Sequence, residues 1–382
     1  MGARLVVNDS NGGTDSQVNS TRWYKFVLTA ITLALMTVSI ERGAALAAPA
    51  IFYKQTNLIS DQAGKAVLPD DNLLNAWGMA FQPNGAIWVN DNHSGVSTLY
   101  DGLGAIQTLV VTVPPPIGSD AQSSPTGIVA NPFRSNAPGN NFDGDVFIFA
   151  TEDGTISGWQ GSLGKKAAIR RDNSQDGSIY KGLAQGMTRD GRPHIYATDF
   201  HNGAIDVFDS TYMPVTLNGK FEDPFLPKGY APFGIANLNG ELYVSYAKQD
   251  DDAEDDVKGP GHGFIDIFTT DGFFVRRFAS RGFLNSPWGL AIAPANFGVA
   301  SGKLLVGNQG NGHIPVFDPS TGLPLGELLS RKGLKISPLV IDGLWAVIDG
   351  DGALNAPANT MYFSAGPNAE ADGLFGTITP ER

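Results

Sequence analysis

The stretch Asn75-Ala76-Trp77-Gly78-Met79-Ala80-Phe81, NAWGMAF, sets a glycine inside a short and largely apolar run. Five further stretches of this kind follow along the chain, and their glycines are spaced 48 to 59 residues apart. They are SPTGIVA (124–130), LAQGMTR (183–189), APFGIAN (231–237), SPWGLAI (286–292) and VIDGLWA (340–346), and the six glycines are Gly78, Gly127, Gly186, Gly234, Gly289 and Gly343. A repeat of this period indicates one supersecondary unit used six times.

Each copy is followed by two more strand-like segments with a polar turn between them. The second segments are GAIWVND, GDVFIFAT, PHIYATD, GELYVSY, GKLLVGN and NTMYFSA, and the third are GVSTLYD, GTISGW, GAIDVFD, GFIDIFT, GHIPVFD and GLFGTI. Fourth strands are visible as QTLVVTV (107–113) and FFVRRFA (273–279). Apolar and polar residues alternate within many of them, as in half-buried strands. Four strands per unit of about 50 residues predict an all-β fold, a six-bladed β-propeller.

The ends of the chain complete this prediction. The sixth unit has three strands before the last residue, and KQTNLIS (54–60) precedes the first unit without a blade of its own. We expect this segment to be the outer strand of the sixth blade, which closes the ring and covers an open sheet edge. Residues 48–382 are thus predicted to form a single propeller domain. The repeated glycines are expected to let inner strands approach closely at the axis.

Residues 1–47 are predicted to be a signal peptide with a long polar leader. Arg22 and Lys25 precede the apolar run 26–40, and Ala45-Leu46-Ala47 is a small-x-small cleavage site. An uncleaved membrane anchor is the competing interpretation, but the run is shorter than the roughly 20 residues that a spanning helix needs. We therefore expect a secreted or periplasmic protein with no membrane span after cleavage.

Composition restricts the partners and the chemistry. Among 382 residues, 42% are apolar and 17% are charged, which is typical of a globular protein with a large core. The net charge of −12 argues against nucleic acid as a partner, because phosphate binding needs clustered Lys and Arg. There is no cysteine, which excludes disulfides, thiolate metal sites and cysteine nucleophiles.

The polar turns between second and third strands are predicted to share one face. In an up-and-down blade, this turn emerges on the face from which the chain enters the next inner strand. The turns are VNDNHSG (89–95), TEDG (151–154), TDFHNG (198–203), AKQDDDAEDDVKGPGHG (247–263), GNQGNG (307–312) and AGPNAEADG (365–373). Four of the five histidines, namely His93, His201, His262 and His313, lie in or beside these turns.

Two sets of residues are candidates for binding a ligand on this face. The first comes from the turns: Asp91, Asn92, Asp199, Asn311 and Asn368. The second is a ring of residues that precede the repeat glycines: Trp77, Thr126, Gln185, Phe233, Trp288 and Asp342. An aromatic rim broken by a few polar groups is typical of a ligand mouth. The alternatives are that the aromatic residues only plug the channel, and that Asn, Asp and Gly only build tight turns.

Three metal chemistries are open. A Ca²⁺ ion would take oxygen ligands, with Asp342, Asn308 and Asp91 as candidates. A transition metal such as Zn²⁺ would instead recruit His93 and His201. Either histidine as a general base beside Ca²⁺ would hydrolyse an ester or lactone. The acidic insert, residues 248–263, is predicted to be a solvated loop, and its position on the same face makes it a candidate lid.

Several strings resemble an uncharacterised family of exported bacterial propeller proteins, some of which carry a C-terminal sorting tail. They are NLLNAWGMAF (72–81), SPTGIVANP (124–132), APFGIA (231–236), SPWGLAIAP (286–294) and FSAGPNAEADGLFGTITP (363–380). The repeats are more distantly similar to NHL-repeat propellers and to Ca²⁺-dependent lactonases of the gluconolactonase and paraoxonase kind. The resemblance implies a propeller and export. We expect a binding protein for a small molecule, glycan or protein, and the alternative is a metal-dependent hydrolase of lactones or esters.

Overall fold

The computed structural model describes residues 51–134, 141–351 and 357–381, and short strands make up most of them. The strands are β1 Phe52–Ser60, β2 Leu68–Pro69, β3 Ala76–Ala80, β4 Ile87–Asp91, β5 Val96–Tyr100, β6 Val111–Thr112, β7 Pro125–Ala130, β8 Phe147–Thr151, β9 Thr155–Trp159, β10 Ala168–Asp172, β11 Tyr180–Met187, β12 Pro193–Asp199, β13 Ala204–Asp209, β14 Tyr230–Leu238, β15 Glu241–Lys248, β16 Phe264–Thr269, β17 Phe274–Ser280, β18 Pro287–Ile292, β19 Leu304–Asn308, β20 Pro315–Phe317, β21 Pro324–Glu327, β22 Leu329–Lys332, β23 Lys335–Pro338, β24 Leu344–Asp349, β25 Met361–Ala365 and β26 Leu374–Glu381. Helical structure in these residues is limited to 3₁₀ turns at Asn141–Gly144, Gly161–Leu163, Ser174–Asp176 and Gly298–Ala300. The predicted signal segment, residues 1–47, lies outside the described residues.

The strands form the six blades of a β-propeller, as predicted. The first blade is β3–β6, the second β7–β10, the third β11–β13, the fourth β14–β17 and the fifth β18–β21. The third blade continues outwards through a single bridge between Phe208 and Pro214. The hairpin β22–β23 stands between the fifth and sixth blades as a sheet of its own. Almost every segment that the sequence marks as a strand is therefore a strand at that place.

Strand β1 closes the ring, which confirms the expectation for the N-terminal segment. It pairs antiparallel with β26 from Phe52 opposite Glu381 to Ser60 opposite Leu374, so that the sixth blade runs β24–β25–β26–β1. The Tyr53 hydroxyl donates to the Phe297 carbonyl oxygen at 2.9 Å, which ties the closing strand to the fifth blade. The described residues contain no helix long and apolar enough to cross a membrane.

Neighbouring inner strands are in van der Waals contact at the axis. A Cβ atom added at Gly78 would collide with the Thr126 carbonyl of the second blade, and one added at Gly234 would collide with the Trp288 carbonyl of the fifth. A Cβ added at Gly289 would likewise lie 2.7 Å from the Trp345 carbonyl of the sixth blade. The predicted close approach is confirmed at Gly78, Gly127, Gly234 and Gly289, because only a residue without Cβ allows it. It is wrong for Gly186, which faces side chains, and for Gly343, which lies in a turn at φ 64° against Gly366 of its own blade.

Hydroxyl and amide side chains on several second strands donate to the inner strand of the next blade. The Thr198 hydroxyl donates to the Phe233 carbonyl at 2.8 Å, and the Ser245 hydroxyl donates to the Pro287 carbonyl at 2.6 Å. The Asn90 amide of the first blade donates to the Thr126 carbonyl of the second at 3.0 Å. These bonds satisfy inner-strand carbonyls that would otherwise be buried without a partner. The blades are thus held in register around the axis, which positions the residues at its end.

Candidate functional site

The inner-strand register corrects two members of the predicted aromatic ring. Tyr180 pairs with Asp199 and Gly182 with Thr198, so the residue at the ring position of the third blade is Lys181, not Gln185. In the sixth blade, Leu344 pairs with Ala365 and the ring position is Trp345, not Asp342. The ring is therefore Trp77, Thr126, Lys181, Phe233, Trp288 and Trp345. The sequence contained a signal for this register. Gly182 is 55 residues after Gly127 and 52 before Gly234, which is a more even repeat spacing than Gly186 gives.

The three tryptophans of the ring plug the axial channel. Trp77 stacks on Trp345 with ring centroids 3.4 Å apart, and Trp288 meets both rings edge-on at 6.1 and 5.8 Å. Phe233 packs against Trp345 at 5.8 Å. All four rings are buried. This is the plug that the sequence left open as an alternative to an open rim, and it forms an apolar floor at the axis.

Lys181 is the exception in this apolar ring. Its side chain is 2% exposed, and its ammonium group lies 5.5 Å from the centre of the Trp77 ring and 5.7 Å from that of Phe200. The ammonium donates to Glu152 at 2.5 Å and to Asp255 at 3.2 Å. Burial acts to lower the pKa of Lys181, but the two carboxylates outweigh it and the pKa is raised. Lys181 is therefore a buried permanent cation at the axis.

A polar network with members from all six blades surrounds this cation; we call it the mouth. It comprises Asn75, Asn92 and His93 of the first blade, Glu152 of the second, Lys181 of the third, Asp255, Asp256 and Lys258 of the fourth, Gln309 of the fifth and Glu370 of the sixth. Asn92 donates to Glu152 at 2.8 Å, Asn75 donates to Glu370 at 3.2 Å, and Gln309 donates to Glu370 at 2.9 Å. The Trp345 indole N–H donates to Asn75 at 3.1 Å and joins the mouth to the plug.

Buried polar atoms without a hydrogen-bond partner in the mouth and its floor include Gln309 Oε1 and the Trp77 indole nitrogen. Burial raises the pKa of Asp256; a hydrogen bond with the Ser286 hydroxyl and the ammonium groups of Lys258 and Lys181 lower it. Burial also raises the pKa of Glu370; Lys258 and Asn75 lower it, and the carboxylates of Glu152 and Asp256 raise it further. The unsatisfied acceptor and the neighbouring carboxylates make the mouth a candidate binding site.

The acidic insert, residues 248–263, differs from the expected solvated loop. Its first four acidic residues are exposed or half-buried, but Asp255 reaches Lys181 and the Asp256 carboxylate is buried in the mouth. At its start, Gln249 donates to the Phe200 carbonyl at 2.7 Å. Near its end, Gly259 donates its N–H to the Asn285 side chain at 2.7 Å. The insert thus crosses the mouth and is fixed on both sides, which is the placement expected of a lid.

The structure does not bring together the three predicted calcium ligands. Asp91 is buried and accepts a bond from the Thr98 N–H at 3.1 Å, so it caps its own hairpin. Asn308 donates to the Phe283 carbonyl and accepts from the Asn285 N–H. Asp342 is exposed and accepts from the Asn368 N–H at 3.0 Å. In the described part of the chain, no group of three or more His, Asp or Glu is placed to hold a metal ion.

The four histidines of the polar turns have different hydrogen-bond partners. His93 lies in the mouth with its Nε2 atom 3.3 Å from the Asn75 amide. His201 is exposed and contributes its carbonyl oxygen to Gln249 at 3.3 Å. The His262 ring bonds to the Val257 carbonyl within the acidic insert, and the His313 ring bonds to Glu327 of β21.

The remaining predicted ligand residues fall into three groups. Asn92 belongs to the mouth, and Trp77 and Trp288 belong to its floor. Asp199, Asn311 and Asn368 cap turns: Asp199 accepts from Asn202, Asn311 accepts from the His313 N–H, and Asn368 donates to Asp372. Gln185 lies at the opposite end of the axis, where it lines a cavity of about 330 Å³ together with Asn237 and Asp349.

Comparison with known proteins places the chain in a family. It is 34% identical over 344 residues to the uncharacterized protein L690 of Acanthamoeba polyphaga mimivirus, with 86% of each chain covered. It is 33% identical over 342 residues to the uncharacterized protein R648 of the same virus, with 86% of this chain and 81% of the relative covered. The chain belongs to the family of these proteins. The relatives are viral, whereas the resemblance noted in the sequence was to bacterial proteins. No family model matches the chain.

Solved structures of similar shape include two enzymes. Virginiamycin B lyase from Staphylococcus aureus aligns with a TM-score of 0.48 and 15% identity over 86% of this chain and 99% of the lyase. Aldose sugar dehydrogenase from Streptomyces coelicolor, in its PQQ-bound form, aligns with a TM-score of 0.49 and 12% identity over 87% of this chain and 99% of the dehydrogenase. Similarity at this level supports no conclusion about the ligand or the reaction of this chain.

Proposed function

We propose that this protein is an exported binding propeller that holds a small polar molecule in the mouth, above the tryptophan plug and beneath the acidic insert. The observation that carries the proposal is Lys181. The other five blades place an aromatic residue or threonine at its position, so the ring does not need a cation to pack. Taking an ammonium group out of water costs roughly several kcal/mol. The carboxylates of Glu152 and Asp255 offset this cost. Such a group is typical of a site rather than of a core.

The surroundings of Lys181 support the same proposal. The floor is aromatic, every blade except the third supplies an amide or carboxylate group around Lys181, and the Gln309 Oε1 atom is an unused acceptor. An apolar base beneath a few placed polar groups is the usual form of a small-ligand site. The acidic insert supplies one wall, in which the exposed Asp255 carboxylate reaches Lys181 at 3.2 Å.

The proposal is tested with Lys181→Met, which keeps the length of the side chain and removes the charge. Neutral sugars, polyols, amino acids, amines and organic acids are screened by thermal shift against the parent and the variant. We expect at least one class to raise the Tm of the parent and to lose that effect in Lys181→Met. Lys65→Met, which changes an exposed lysine outside the mouth, is the matched control and should keep the effect. A ligand that stabilises the parent and Lys181→Met equally would place binding elsewhere.

Export is part of the proposal and has its own test. The full chain is expressed in a bacterial host, and the N-terminus of the protein outside the cytoplasm is sequenced. Cleavage after Ala47 would give a chain that starts at Ala48. Protein found only in the cytoplasm with residues 1–47 attached would contradict export and would leave the binding site to be judged by the ligand screen.

A further inference from the structure

The mouth carries more negative than positive charge. Glu152, Asp255, Asp256 and Glu370 supply four carboxylates, and Lys181 and Lys258 supply two ammonium groups. The ammonium group of Lys181 forms ion pairs with Glu152 and Asp255 on one side of the mouth. On the other side, Lys258 lowers the pKa of both Asp256 and Glu370, and Lys181 also lowers that of Asp256. This second side is where a ligand of opposite charge would be stabilised.

Lys258 is a weak partner for Glu370. Its ammonium nitrogen lies 3.9 Å from the carboxylate oxygen, which is beyond hydrogen-bond distance, and its side chain is 46% exposed. An exposed pair of this kind contributes about 0–1 kcal/mol. The acidic insert therefore brings a loosely held ammonium group to the rim of the site, where a better-placed one could displace it.

One buried acceptor on this side has no partner. Gln309 is 2% exposed; its Nε2 atom donates to Glu370, and its Oε1 atom is left unpaired. The buried Asp256 carboxylate has the Ser286 hydroxyl as its partner, and the Gln309 N–H donates to the Ser286 carbonyl at 3.0 Å, so Asp256 and Gln309 belong to the same corner. A bound group with N–H donors and a positive charge would satisfy Gln309 Oε1 and neutralise the two carboxylates.

We propose that the mouth binds a primary ammonium group, which docks between Glu370, Gln309 and Asp256 and displaces Lys258 of the acidic insert. A primary ammonium has three donors for the three acceptors, and a quaternary ammonium has none. The inference rests on the proposed function and names its ligand class. It also gives the insert a role, since its own lysine occupies the place of the ligand until one arrives.

The test uses three small probes of similar length on the purified mature protein. Ethanolamine carries a primary ammonium, choline carries a quaternary ammonium, and ethylene glycol carries no charge. Binding is measured by calorimetry and by the indole N–H signals of Trp77, Trp288 and Trp345 in NMR. We expect ethanolamine to bind with a Kd of about 1 mM or tighter, given its few heavy atoms, and the other two to be without effect at the same concentration.

Two variants should change the affinity in opposite directions. Lys258→Met removes the competing ammonium and should tighten ethanolamine binding about threefold or more. Glu370→Gln keeps the size of the side chain and removes the charge, and should weaken binding about tenfold or more, as expected for the loss of a charge-assisted bond. Unfolding curves of both variants show whether they are folded. A merely structural role for these residues would not give changes of opposite sign.

The outcomes separate the two proposals. Equal binding of all three probes, no ethanolamine binding to either the parent or Lys258→Met, or unchanged affinity in Glu370→Gln would overturn the ammonium proposal. Binding of CaCl₂ alone, without ethanolamine binding, would also overturn it and would favour a metal ion. In each case the proposed function is tested separately by the thermal-shift screen. It stands if a ligand raises the Tm of the parent and not that of Lys181→Met.

Discussion

Replacing Lys181 with methionine should cost the propeller little stability, although breaking a fully buried ion pair typically costs about 3–5 kcal/mol. The reason lies in the partners that remain. Asp255 is 79% exposed, so water replaces the lost ammonium at almost no cost. Glu152 is 25% exposed and keeps the Asn92 amide at 2.8 Å. Methionine fills most of the space of the lysine chain beside the rings of Trp77 and Phe200.

The balance sets the expected magnitude. The lysine ammonium makes two charge-assisted bonds, each contributing about 1.5–3 kcal/mol. Against this stands a desolvation cost of several kcal/mol for the same ammonium, which methionine does not incur. We expect the free energy of unfolding of Lys181→Met to lie within about 1 kcal/mol of the parent, in either direction. In a domain of this size that corresponds to a change in Tm of less than about 3 °C.

The assay is urea unfolding of the parent and the variant, followed by tryptophan fluorescence. Trp345→Ala is the comparison, because this ring packs against Trp77, Trp288 and Phe233, and its removal should cost about 3–5 kcal/mol. A loss of 3 kcal/mol or more in Lys181→Met would refute the reasoning. It would mean that the lysine holds the blades together, and its burial would then need no ligand to explain it.

Three further predictions concern the fold. Gly234→Ala should lower the free energy of unfolding by about 1–3 kcal/mol or more, because its Cβ collides with the Trp288 carbonyl. Gly161→Ala is the control; its Cβ meets nothing within 4 Å, and the change should be less than about 0.5 kcal/mol. Chemical unfolding compares the two variants. Burial raises the pKa of Asp266 to about 7, so between about pH 4 and pH 7 the native state binds a proton that the unfolded chain has lost. This group therefore lowers the free energy of unfolding as the pH rises through that window. Urea unfolding of Asp266→Asn should show a flatter dependence on pH there than the parent does. A chain that lacks residues 49–60 should lose cooperative unfolding by circular dichroism, because the outer edge of the sixth blade is then unpaired; a sharp parent-like transition would contradict the closing role of β1.

Much of the fold could be predicted from the sequence because blades are local. Each strand alternates apolar and polar residues, each turn has its Gly, Asn or Asp, and neighbouring strands in a blade are neighbours in the chain. These features act over fewer than ten residues, so a window of sequence contains them. The face of the polar turns could also be predicted, since the up-and-down order of strands decides it. Even the pairing of β1 with β26 followed from counting strands.

The site was predicted less well. The mouth was expected on the correct face, and Asn92, His93, Trp77 and Trp288 were placed at it or in its floor. Glu370 stood in a turn of that face without being chosen. Lys181 and Trp345 were missed because the repeat was aligned on Gly186 and Gly343, whose ring neighbours Gln185 and Asp342 took their places. The histidines of the polar turns suggested a metal or a catalytic base, but His93 and His201 have different hydrogen-bond partners.

The sequence by itself determined six units, their strands, the closing segment and the face on which polar turns gather, because each depends on short-range patterns and chain order. Only the tertiary structure decided which residue of each inner strand points at the axis. That depends on where each inner strand bulges against its partner, and an irregularity between Tyr180 and Gly182 sets Lys181, four residues before Gln185, in the ring. It also decided that Glu152, Lys181, Asp255 and Glu370 meet. They come from four different blades, and their mutual electrostatic energy appears only when the ring is closed.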